Sequence, residues 1–230
     1  MDIDKEEDGQ VAPVATTTIV DAIAPEVAEN RLAPFNPTSD QAQQTALRLL
    51  DLSKDDVLFD LGCGDGRLLI TAVKDQQTKG LRCVGIEMDP VFTSRAVQSI
   101  YQLSAETQRR IEIREGDVLE LGYQDNSTES APQQPAATAT AETNILGETG
   151  KSLCQHLTLL NDATAIYLFL VPNGLKKIQP LLDRVVEIRK EQGKPFSVVA
   201  YIFQVHGWEP SFVDRTTKGE MPLYLYRFEA

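Results

Sequence analysis

The stretch Val57-Leu-Phe-Asp-Leu-Gly-Cys-Gly-Asp-Gly-Arg67 constrains this chain more than any other. Its short apolar start, Val57–Leu61, has the form of a strand buried on both faces. Gly62, Gly64 and Gly66 then allow a tight turn and the close approach of a ligand that a Cβ would obstruct. A helix opening at Arg67 offers unpaired N–H groups at its amino end. Strand, glycine turn and helix together open a βαβ unit, which calls for a mainly parallel sheet with helices on both faces.

The downstream pattern agrees. It predicts helices over Arg67–Lys74, Val91–Ser104 and Gly174–Gln192, alternating with strands over Cys83–Glu87, Ile111–Glu115, Ala163–Val171 and Phe196–Gln204. Upstream, Asp40–Leu50 has helical spacing, with Ser39 or Asp40 as its cap. Pro222–Phe228 reads as the last strand. Only turn-rich pieces, Gly207–Gly219, separate it from the strand before, so an antiparallel pair is expected at that edge. Residues 1–30 read as a disordered acidic tail, with a helical turn near Val20–Val27, and residues 31–230 as one domain. From Gly122 to Gly150 the sequence collapses into Ser, Thr, Gln, Pro and Ala, a low-complexity insertion that is long for a compact domain.

The acids around the glycine turn suggest what it holds. Asp60 and Asp65 flank the turn, and two carboxylates make a poor phosphate cradle. They suit a ligand carrying an ammonium and a sulfonium, as the methionine half of S-adenosylmethionine does. Gly85-Ile-Glu-Met-Asp-Pro90 closes the second strand, placing Glu87 and Met88 at its carboxyl end, where an acid accepts hydrogen bonds from ribose hydroxyls. At the next strand end, Asp117 is placed for an adenine amine and Val118 for the face of the ring. Open α/β sheets bind ligands along this edge.

At this point the sequence resembles the class I S-adenosylmethionine-dependent methyltransferases, and within them a small branch of lysine methyltransferases. That branch acts on ATP synthase subunit c and the adenine nucleotide translocase. The residues carrying the likeness are Ala33-Pro-Phe-Asn-Pro-Thr-Ser39, Phe59–Arg67, Gly85–Pro90, Tyr167-Leu-Phe-Leu-Val-Pro172 and Val198–Glu209. The resemblance implies a Rossmann-like, seven-stranded, mostly parallel sheet, with S-adenosyl-L-methionine as cofactor and protein-lysine methylation as activity. It also implies cofactor contacts at Thr38, Asp60, Gly62, Gly64, Asp65, Gly66, Glu87, Met88, Asp117, Val118 and Leu170. Phe35, Pro37 and Thr38 would fold over the cofactor.

An amine nucleophile has to lose a proton before transfer, and an apolar or aromatic channel favours that loss. Tyr201, Phe203 and Trp208 are the candidates for such a channel. Val171-Pro-Asn-Gly174 lacks the Asn/Asp-Pro-Pro-aromatic pattern of amine-directed nucleic-acid enzymes. His206, just past a strand, is a weaker candidate for a general base, and His156 reads as solvated. Gly147-Glu-Thr-Gly-Lys-Ser152 imitates a phosphate loop, but two residues separate its glycines where four are needed.

Charge and cysteine content narrow the setting. The formal net charge is −12, which disfavours phosphate backbones and favours a basic partner such as a lysine-bearing protein. Cys63, Cys83 and Cys154 show no paired spacing, so neither a zinc site nor a disulfide framework is expected. With no secretory signal and no membrane-spanning run, the expectation is an intracellular protein, cytoplasmic or mitochondrial.

Overall fold

The computed structural model describes residues 38–75, 77–123 and 151–229. The expectations for Val20–Val27, for Phe35 and Pro37 and for residues 124–150 lie outside them.

Helix α1 (Asp40–Leu50) starts at Ser39, whose side chain accepts a hydrogen bond from the Ala42 amide, and it stops at Asp51 in the left-handed conformation. There follow β1 (Val57–Leu61), α2 (Arg67–Lys74), β2 (Arg82–Glu87), α3 (Pro90–Tyr101), α4 (Ala105–Gln108), β3 (Ile111–Glu115) and α5 (Val118–Leu121). The chain continues with α6 (Leu159–Asp162), β4 (Ala165–Leu168), α7 (Pro172–Glu191), β5 (Phe196–Tyr201), β6 (Phe212–Asp214) and β7 (Leu223–Phe228). Proline opens both α3 and α7, where its missing N–H and fixed φ cost nothing.

Seven strands form one sheet in the order β3-β2-β1-β4-β5-β7-β6. The first five are parallel to one another, and β7 runs antiparallel between β5 and β6. The expected Rossmann-like sheet is therefore the observed one. Strand β6 lies inside the stretch read as turns only. It has three residues, Phe212-Val-Asp214, too few for an alternating pattern to register.

The sheet's two faces carry separate cores. Val57, Phe59 and Leu61 point toward α5, α6 and α7, with Ile166, Leu168, Val198 and Ala200 beside them. Leu58, Cys83, Tyr167, Val199 and Tyr201 point the other way, toward α1, α2 and α3. All five residues of β1 are buried, which explains its uninterrupted apolar run. Complete burial of a side chain such as Phe59 contributes about 1.5–3 kcal/mol.

Asp60 follows the alternation of Leu58, and Glu87 that of Cys83, so both acids belong to the α1–α3 face. Gly85, between Cys83 and Glu87, is the tight point of that face. A Cβ there would stand 2.6 Å from Cys63 Sγ and 2.9 Å from Leu69 Cδ1. Gly85→Ala is therefore expected to destabilise the fold by about 2 kcal/mol, a loss of roughly 4–8 °C in melting temperature. An unchanged melting curve would show that Cys63 and Leu69 give way freely.

Candidate active site

The glycine turn extends the pairing of β1 with β2. The amides of Gly62 and Cys63 both donate to the Ile86 carbonyl, at 2.9 and 3.1 Å. Gly62, Gly64 and Gly66 have φ of 86, 54 and 71°, the left-handed region that favours glycine. Gly66 is the N-cap of α2 and supplies no side-chain cap, while the Arg67 amide, the first of α2, turns to the Asp65 carboxylate. Leu170, just past β4, closes the far side of the turn. A Cβ on Gly62 would lie 3.2 Å from its Cδ2.

Glu87 braces the turn from β2. Its Oε2 accepts from the Gly64 amide and its Oε1 from the Asp89 amide, each at 2.9 Å. A carboxylate has about four acceptor positions, so two remain for ligand hydroxyls. Met88, half-buried, follows directly.

Asp60 is 3% exposed, and among the described residues nothing donates a hydrogen bond to its carboxylate. Burial, with the nearby charges of Glu87 and Asp65, pushes its pKa up to about 8. Asp65 is different. Arg67 holds it in a two-pronged ion pair that keeps its carboxyl below the usual range. The sequence sets Asp60 and Asp65 together as the acids that flank the turn and suit a cationic ligand; the Arg67 pair changes that for Asp65. Asp65 is neutralised by its neighbour at the helix start, and Glu87 is the second acid beside Asp60. A buried carboxyl that keeps its proton beside another acid, with no cation among the described residues to favour its ionised form, fits a ligand that brings a positive charge.

Farther along the edge, Asp117 caps α5, its carboxylate accepting from the Leu119 amide at 2.8 Å. Val118 is buried, packed into the α5–α7 core. Asp117, expected at an adenine amine, is thus a helix cap, and Val118, expected against the ring, packs on the face opposite Asp60.

The channel candidates separate. Tyr201 ends β5 on the face that holds Asp60, and its ring packs 4.8 Å from that of Phe169. Phe203 and Trp208 pack on the opposite core. Trp208 sets its ring against Tyr226 and Phe228 at 5.4 and 4.9 Å and donates to Asp183 of α7 at 3.0 Å. Grouping Phe203 and Trp208 with Tyr201 is thus corrected. The chain turns after β5, and period-two reasoning does not survive the turn. His206 and His156 are both exposed. Of the phosphate-loop imitation, Ser152 donates to Glu112 and accepts from the Cys154 amide. The described residues hold no cluster of His, Cys, Asp or Glu suited to a metal, and the three cysteines are free and buried.

Two residues that sequence reasoning did not select stand within the site. Tyr167 of β4 lies opposite Asp60 in the β1–β4 register, and its hydroxyl is 3.0 Å from that of Thr38. Gln43 of α1, 2% exposed, donates to the Thr38 carbonyl at 2.8 Å. The period-two placement of Tyr167 on the face of Asp60 was the signal available for it.

No protein-family model matches the chain. Among solved structures, the RNA methyltransferase from Salinibacter ruber in complex with S-adenosyl-L-homocysteine is similar, with a TM-score of 0.55 and 26% identity. The match covers 84% of this chain and 93% of that one. Sheet order and this likeness agree: the chain is an S-adenosylmethionine-dependent methyltransferase with the class I fold. A curated relative gives a more particular likeness. Over 195 residues the chain is 26% identical to a protein-lysine N-methyltransferase of Saccharolobus islandicus strain REY15A, spanning 84% of this chain and 92% of that protein.

Proposed function

We propose that the protein transfers a methyl group from S-adenosyl-L-methionine to a lysine side-chain amine in a protein substrate. The observation carrying this reading is the likeness, over nearly the full length of both chains, to the Saccharolobus protein-lysine enzyme. The Salinibacter RNA enzyme is equally similar in sequence, and charge is what favours the protein substrate. The segment from Met1 to Pro37 carries eight acids against Lys5 and Arg31, and residues 124–150 carry four acids with no lysine or arginine. Such a chain attracts a cationic protein and repels a phosphate backbone.

Bound S-adenosylmethionine supplies the activated methyl. In this reading Asp60 would hold the cofactor's ammonium, the α2 amides that follow Arg67 its carboxylate, and Glu87 its ribose. Gly62 and Leu170 shape the turn beneath it. Transfer is in line, so the protein's main task is to hold the amine about 3–3.5 Å from the carbon it attacks. Tyr201 and Phe169 offer an aromatic wall on which a lysine loses water, and with it part of its hold on the proton. No described helix is long and apolar enough to cross a membrane.

Incubating the protein with tritiated S-adenosylmethionine and a cell extract is expected to label a protein band. The label should survive mild base and ribonuclease and be recovered as methyl-lysine after hydrolysis. Label removed by ribonuclease, or confined to small molecules, would overturn the reading.

A further inference from the structure

Two tyrosine hydroxyls on the site face meet two consecutive hydroxyl residues at the start of α1. Tyr167 pairs with Thr38 at 3.0 Å, in a buried setting, and the Tyr201 hydroxyl meets the Ser39 side chain. The tyrosines come from adjacent strands. Tyr167 stands beside Asp60 on one side and Val199 on the other, and Tyr201 lies two residues beyond Val199. Thr38 is held a second time through its carbonyl by Gln43, whose own Oε1 accepts from Thr71 of α2 at 3.1 Å. The same threonine therefore joins β4 to the helix that leaves the glycine turn. Gln41 adds bonds to the Thr216 carbonyl and the Lys218 amide at 2.8 and 3.1 Å. Next to Tyr201, Ile202 has φ of 69°, a genuine outlier for a β-branched residue. Strain of that kind persists where surrounding contacts impose it, and it collects at functional sites.

Packing alone does not call for the Thr38–Tyr167 pair. Two apolar groups of the same shape would fill the space, and replacing both partners of a buried hydrogen bond in that way is nearly neutral for stability. The pair's distinctive effect is geometric, since it sets the start of α1 at one height above Asp60.

We propose that Tyr167 is a positioning residue for methyl transfer: with Thr38 it forms a buried hydroxyl pair that fixes the start of α1 as a wall beside the cofactor's methionine end. The inference rests on the methyltransferase reading. It assigns Tyr167 no contact with reacting atoms, and its effect passes through Thr38.

The test compares Tyr167→Phe, Thr38→Val, Thr38→Ser and the double variant Tyr167→Phe/Thr38→Val in the full chain. The readouts are S-adenosylmethionine Kd by calorimetry, the rate of tritium transfer to extract protein at saturating cofactor, and melting temperature. Each of the first two changes is expected to weaken cofactor binding about tenfold, the effect of one misaligned buried hydrogen bond. Thr38→Ser should remain within about twofold of wild type. The double variant should bind no more weakly than either single one while melting within a few degrees of wild type, because the two residues act as one unit. Wild-type-like Kd and transfer rate in Tyr167→Phe, losses that multiply in the double variant, or a serine variant as weak as the valine one would each overturn the proposal. Should Tyr167→Phe fail to fold, the contrast between Thr38→Ser and Thr38→Val decides alone. Wild-type protein that binds no S-adenosylmethionine would instead bring down the enzyme reading itself.

Discussion

Glu87→Ala is expected to lower kcat/KM for S-adenosylmethionine by about 10²- to 10³-fold, roughly 3–4 kcal/mol of transition-state stabilisation. Two losses combine in that figure. The ribose loses its acceptor, and the Gly64 and Asp89 amides lose the carboxylate that now satisfies both at 2.9 Å. Each partly buried amide left without a partner costs about 1–3 kcal/mol, and the turn that cradles the cofactor loosens with them. Glutamine is not a mild replacement, because its amide nitrogen would face one of these two N–H donors. Glu87→Gln should therefore fall closer to alanine than to wild type. Initial rates across a cofactor titration check this. A Glu87→Ala enzyme whose cofactor KM stays within threefold of wild type would refute the assignment.

The second large effect concerns Asp60 and pH. In the free protein its pKa stands at about 8, raised by burial, by Glu87 and by Asp65, against an ordinary value of 3.8. The other titratable neighbours are Cys63 and Tyr167, both kept neutral by burial, and Arg67, which is taken up by Asp65. Between these two values the folded protein keeps a proton that the unfolded chain has released. Stability in the absence of cofactor must then fall as pH rises from about 4 to 8, at up to roughly 1.4 kcal/mol per pH unit, and level off above. Asp60→Asn carries no such penalty. It should melt on the order of 10 °C above wild type at pH 8 and close to wild type near pH 4.

Binding follows the opposite course. A cationic ligand at Asp60 favours the carboxylate, so each cofactor bound below pH 8 should expel a proton from this residue. The ligand's own α-amine titrates near 7.7–8.0, and Asp60→Asn supplies the reference in which only that titration remains. The ratio of wild-type to Asp60→Asn affinity should rise with pH, by at most about tenfold per unit, and flatten above about 8. Calorimetry in buffers of differing ionisation enthalpy measures the proton directly. A ratio independent of pH between 6 and 9 would dispose of the idea.

How far the fold and site were legible in the sequence follows from the physics of each part. Strands buried on both faces, such as Val57–Leu61 and Ala165–Leu168, announce themselves as apolar runs, and the glycine turn marks where a ligand approaches. Glu87 was legible because strand length and helix length fix its distance from the turn. Strand β6 was not, since three residues are too few to show an alternation and only their pairing with β7 defines them. The Asp65–Arg67 pair was missed for a related reason. Spacing shows that two charges are near, and only the left-handed turn at Gly66 shows that they face each other. Tyr167 sits in the middle of an apolar run, where an aromatic reads as core. Its hydroxyl became informative once α1 was seen to bring Thr38 to it.

The passage from β3 to β4 is anchored at its far end. Arg109 accepts from the Leu153 amide, Arg114 donates to the Cys154 carbonyl, and Ser152 donates to Glu112, while Gly122 packs tightly against Leu181 at the near end. With both ends pinned, the number of residues between Tyr123 and Lys151 is nearly a free variable. Halving it changes the closure entropy by only about 0.6 kcal/mol. A longer or a shorter passage between these two anchors therefore leaves the formation of the sheet and its carboxyl edge almost unaffected.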